Sequence, residues 1–162
     1  MLLNIAIGLS TMAVCMVLQS VLVVMAMRYY SRHDVLGNNP TAWTTMATLN
    51  GVMVLLVLGN IAQVAIWAVL FRLIGEFDAL DVAVYHSAVN FASLGYGDIV
   101  MSERFRLLGP IEAINGVLMI GVSTAALMTT LQDAFAKTRR RRRRSRRPRV
   151  GRRPRGSRCA RC

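Results

Sequence analysis

LDVAVYHSAVNFASLGYGD, residues 80–98, is apolar enough to enter a bilayer and too short to cross one. With Ala79 added at its start, the helical composition lasts only to Ala92. Those 14 residues rise about 21 Å as a helix, against a hydrocarbon core of ~30 Å. Beyond them come Ser93 and Leu94, then Gly95 and Gly97 on either side of Tyr96. Irregular backbone survives at membrane depth only when protein buries it or when it lines a cavity. A half-span helix running into paired glycines therefore predicts a re-entrant loop. Asp78 and Asp81 stand near the start of that helix, where acidic groups complement its dipole.

Full spans flank the loop. Gly109–Gln132 offers 24 residues, about 36 Å of helix, and opens with Pro110 and Glu112, which suit a first turn. Upstream, Gly51–Phe71 is the densest part of a charge-free stretch that begins at Val35. Within it, Asn60 and Gln63 predict interhelical hydrogen bonds, and Trp67 predicts a place at the bilayer interface. Leu2–Met27 precedes the first charge, Arg28. It lacks a basic start and is too long for a cleaved signal peptide, so a retained span is predicted. Its polar members, Asn4, Ser10, Thr11, Gln19 and Ser20, suit helix–helix contact better than lipid. The link Arg28–Thr41 carries Gly37-Asn38-Asn39-Pro40 as its turn signal.

The predicted fold is an all-α membrane protein with three transmembrane helices and a re-entrant helix and loop between the second and third. Residues 1–27 form the first span, and 28–46 a cytoplasmic link with the start of the second helix. Residues 47–132 form the two spans with the loop between them, and 133–162 a disordered cytoplasmic tail.

Charge supports the division. Of the 162 residues, Lys137–Cys162 holds 15 of the 20 Lys and Arg and no acid. The rest carries 13 charges with a net of −3, too few to clothe a soluble globule of that size. Three spans place the link and the tail on one face, with 2 and 15 basic residues, against Arg72, Arg104 and Arg106 on the other. The positive-inside rule then predicts a multi-pass protein of the cell membrane, tail in the cytoplasm, N-terminus and re-entrant loop outside. Glu76, Asp78, Asp81, Asp98 and Glu103 make that outer loop net acidic, which favours cations.

Ser93-Leu94-Gly95-Tyr96-Gly97-Asp98 resembles the filter of the potassium-channel pore family, typically TVGYGD. The resemblance runs from about Gly51 to Gln132, with one extra helix ahead of it. GYG alone recurs by chance; a hydroxyl residue, a half-span helix and two flanking spans make the pattern specific. The family's Val is Leu94, and its usual Thr-Thr pair is Ala92-Ser93. Both changes leave the backbone carbonyls in place. In such a filter, rings of carbonyl oxygens replace the hydration shell of a potassium ion. The resemblance implies that Ser93, Leu94, Gly95, Tyr96 and Gly97 coordinate permeant K+ and that Asp98 marks the outer mouth. Tyr85 and His86 would brace the filter, with Asp98 bonded to one of them or simply attracting cations. It also implies a homotetramer, because one filter strand cannot enclose an ion. Successive carbonyls face one way only if alternate residues take unusual backbone angles, which glycine adopts at little cost. Gly116 and Gly121 are candidate hinges of the pore-lining helix, with close helix packing as the other reading, favoured at Gly121.

The first span lacks the repeated arginines of a voltage sensor. No nucleophile–base set, ligand cluster or phosphate loop points to an enzyme, and no cofactor is expected beyond the permeant ion. Cys159 and Cys162 form a lone CxxC, short of a four-ligand zinc site. Arg139–Arg161 contains 14 arginines, an expected partner for anionic headgroups. Nucleic acid is the weaker expectation, since no aromatic residue interleaves for stacking. The competing reading is a small membrane anchor or adaptor that works through this tail.

Overall fold

The structure, a computed structural model, describes residues 2–36 and 42–145. Among the described residues there are four helices, α1 (Leu2–Leu36), α2 (Ala42–Leu73), α3 (Leu80–Phe91) and α4 (Leu108–Ser145), and no strand. Leu2–Arg32, Met46–Leu73 and Leu108–Ala136 are long and apolar enough to cross a membrane. The 12 residues of α3 are not. This is the predicted all-α membrane architecture.

The helices outlast the predicted spans. The link from Arg28 stays helical to Leu36, since no breaker precedes Gly37. Likewise α2 begins at Ala42, well ahead of Gly51. A disordered tail was predicted from residue 133, but α4 continues through Arg139–Arg144 to Ser145. Arginine is a strong helix former, and the first proline beyond is Pro148. Gly37–Thr41, the arginines after Ser145 and the CxxC lie outside the described residues.

α1 packs against α2 and α4, and α3 packs against α2 and α4. One core cluster joins Cys15, Trp67, Ala68, Phe71, Ala83 and Leu108; the other joins Ala26, Tyr30, Val52, Leu56 and Ala126. Trp67 is therefore not an interfacial anchor. It is fully buried, with its ring centroid 5.8 Å from that of Phe71. Leu3, Val17, Val54, Ile61 and Met128 face outward, as lipid-exposed or subunit-facing residues would.

The polar residues of α1 divide by reach. Ser10, Thr11 and Ser20 each bond a carbonyl of their own helix, and Ser10 and Ser20 are exposed, contrary to the expected helix–helix role. A short hydroxyl can be satisfied by the preceding turn. The longer amides cross to other elements: Asn4 donates to the Arg104 carbonyl, and Gln19 reaches α4.

Candidate pore loop

α3 begins after Ala79, whose extended backbone (φ −106°, ψ 134°) accepts the first helical N–H from Ala83 at 3.2 Å. No side chain caps this end, so Asp78 acts through charge alone, as does Asp81 in the first turn. The other end is closed by a two-bond cap. Ser93 N–H donates to the Asn90 carbonyl (2.8 Å), and Leu94 N–H to the Val89 carbonyl (2.9 Å). That pairing is the Schellman motif, and it places Ser93 in the left-handed region at φ 57°.

From there the left-handed conformation recurs at every second residue: Ser93 at φ 57°, Gly95 at 57° and Gly97 at 75°. Leu94 and Tyr96 between them keep negative φ. An ordinary strand, with every φ negative, turns successive carbonyls to opposite sides. Alternating the hand of the backbone is the condition for turning them to one side. All of residues 92–98 are exposed in the single chain, with Tyr96 at 66%.

The loop is tied back to its own helix. Tyr85 donates its hydroxyl to Asp98 Oδ2 at 2.7 Å. That bond holds the Asp98 carboxyl below its ordinary pKa and raises the Tyr85 phenol. Burial lowers the His86 pKa, favouring the neutral ring. Nδ1–H then donates to the Ile99 carbonyl (3.1 Å), leaving Nε2 to accept from the Asn90 amide (2.9 Å). Phe71 and Phe77 flank the ring, with centroids 5.7 and 5.0 Å away. Farther on, Glu76 takes both the N–H and the hydroxyl of Ser102, fastening the descending segment to the end of α2.

Residues 51–133, just over half of the chain, match the model of an ion channel family whose members pair two transmembrane helices around a pore loop. The chain belongs to this ion channel family. No match was found among curated proteins or among solved structures. The matched residues take in most of α2, α3, the loop and the apolar part of α4, while α1 stands outside the match.

Beneath the loop, the channel's α4 grips α3 closely. A Cβ on Gly116 would lie 2.0 Å from the Phe91 carbonyl oxygen, so Gly116 is the close-approach point under the last turn of α3. Gly121 has no neighbour within 4 Å of a Cβ position and makes no such contact within the chain, against the packing reading favoured for it. α4 passes through both as one helix.

Glu112 was expected simply to suit the first turn of this helix. Instead it is fully buried beside the Ser87 hydroxyl, which also lies 3.0 Å from the Val64 carbonyl. One serine of α3 thus meets α2 and α4 at the same point. The helix–helix role expected of Gln19 and the interhelical bond expected of Gln63 are both found, in one link whose third member, Ser123, sequence reasoning missed along with the left-handed Ser93. The available signals were a helix ending with no glycine at its cap, a lone acid inside a span and two amides in neighbouring spans.

Proposed function

We propose that this channel conducts potassium passively through a filter lined by the backbone carbonyls of Ser93, Leu94, Gly95, Tyr96 and Gly97, formed where four copies meet on one axis. The observation that carries the reading is the left-handed alternation at Ser93, Gly95 and Gly97, placed directly after a half-span helix. Backbone carbonyls in this register replace ion hydration without any side-chain charge. The C-terminus of α3 points its partial negative charge toward the same place, which favours a cation. Asp98, held ionised by Tyr85, adds charge at the mouth, and His86 braces the strand from behind. Four copies would also cover the exposed loop. The charge asymmetry supports an external N-terminus and a cytoplasmic end for α4, whose arginines meet anionic headgroups.

Purified protein in vesicles tests this reading. Potassium flux should exceed both sodium flux and leakage through empty vesicles, from particles whose mass corresponds to four chains. Equal potassium and sodium flux would remove the selectivity assignment, and absence of flux would remove the pore.

A further inference from the structure

α1 lies outside the residues that match the family, yet it is bonded to both long helices of the pore domain. Gln63 of α2 donates through Nε2 to Gln19 Oε1 of α1, and Gln19 Nε2 donates to Ser123 Oγ of α4, each at 2.8 Å. All three side chains are buried within apolar spans. Polar groups there are costly unless bonded. Each end of the Gln19 amide finds its partner on a different helix, so the relay closes only when α2, α1 and α4 share one register. Contacts along α1 reinforce it. A Cβ on Gly8 would press on Ile111 and Leu108, and one on Gly59 would press on Leu22. At the loop end, Asn4 holds the Arg104 carbonyl.

The relay also selects a face of α4. Met119, Ser123, Ala126 and Thr130 are buried on one side. Leu118, Gly121, Ala125 and Met128 are exposed on a different side, at helical spacing. We propose that Gln19 is a positioning residue of the pore: through Ser123 it fixes the rotation of α4, so that the Leu118–Gly121–Ala125–Met128 face is presented to the conduction path. The inference rests on the pore proposed above, with α4 taken as its lining helix. It gives the added helix a task within the channel beyond anchoring.

The test uses the full chain with its native cysteines removed (Cys15→Ala, Cys159→Ser, Cys162→Ser) and one reporter, Ala125→Cys or Ala126→Cys. In detergent, a small maleimide should label position 125 much faster than the buried position 126. Gln19→Leu and Ser123→Ala should each narrow that ratio about threefold, the average worth of one interhelical hydrogen bond in a membrane protein. Adding Ser123→Ala to Gln19→Leu should change nothing further. Ser20→Ala, which touches only its own helix, should leave the ratio intact. An unchanged ratio in both relay variants, or an equal loss in Ser20→Ala, overturns the proposal. Should Gln19→Leu fail to fold, the smaller Ser123→Ala change still decides. Flux from the same preparations is read separately. No flux from the unmutated chain would refute the pore reading, whereas the labelling ratio would still report whether α1 holds α4.

Discussion

At the end of α2 the left-handed cap residue is Gly75, and at the end of α3 it is Ser93. The two caps are built alike. Gly75 N–H reaches the Arg72 carbonyl and Glu76 N–H the Phe71 carbonyl, matching the Ser93–Asn90 and Leu94–Val89 bonds. Their settings differ. Nothing lies within 4 Å of a Cβ placed on Gly75, whereas the last turn of α3 is wedged against Gly116. A serine with φ 57° carries about 1 kcal/mol of strain or more, which glycine would escape. Strain of this kind persists where surrounding structure fixes the backbone, and it collects at functional sites. The α2 cap is a turn; the α3 cap is the first step of the proposed filter.

The largest expected effect comes from breaking the setting. Gly116→Ala drives a Cβ into the Phe91 carbonyl, and backbone, unlike a flexible side chain, yields poorly. A loss of ~3 kcal/mol or more is expected, read as a collapse of the melting transition and of the yield of assembled protein. A normal melt for Gly116→Ala would show that α3 is not held from below.

Exchanging the cap residues sharpens the comparison. Gly75→Ala should cost ~1 kcal/mol by strain alone and leave ion preference untouched. Ser93→Gly should do the reverse. It relieves strain, raising stability by up to ~1 kcal/mol, and removes a hydroxyl beside the innermost carbonyl of the proposed filter, which should lower the preference for potassium. Melting curves and paired potassium and sodium flux measure both. A loss of preference in Gly75→Ala with none in Ser93→Gly would erase the distinction between the two turns.

The smallest effect is at the mouth. The Asp98 pKa is lowered in the folded chain, so its contribution is present above the ordinary carboxylate value near pH 4. It is lost as pH falls through the lower, folded value. Tyr85→Phe removes the main cause of the shift. Its melting temperature should therefore fall less between about pH 5 and pH 3 than that of the unmutated protein, and the two should converge in acid. Parallel curves across that range would mean the bond carries no linkage to folding.

Much of this was legible beforehand, for identifiable reasons. Spans are read from length and charge, so α1, α2, α4 and the short α3 were visible. Helix ends were not, because a membrane span ends where polarity begins while a helix ends where its backbone is broken. α1 running on past Arg28 and α4 past Arg139 follow the second rule. Gly95 and Gly97 announced their backbone angles by lacking a Cβ. Ser93 could not, since its conformation is imposed by the cap and the loop together. Gly116, Glu112 and Gln19 depend on which helix faces which, and a single sequence does not encode that as a local pattern.

The central claim, that alternating backbone handedness makes the filter, is tested most directly at Gly97. Its φ of 75° is one that a Cβ penalises, while nothing lies within 4 Å to obstruct the added methyl. Gly97→Ala therefore alters conformation without a steric clash in the chain. Potassium and sodium flux should be compared between unmutated and Gly97→Ala protein in matched vesicles, with assembly checked by particle mass. The account predicts intact assembly with potassium flux abolished or its preference over sodium lost. Conduction by Gly97→Ala with unchanged selectivity would contradict it.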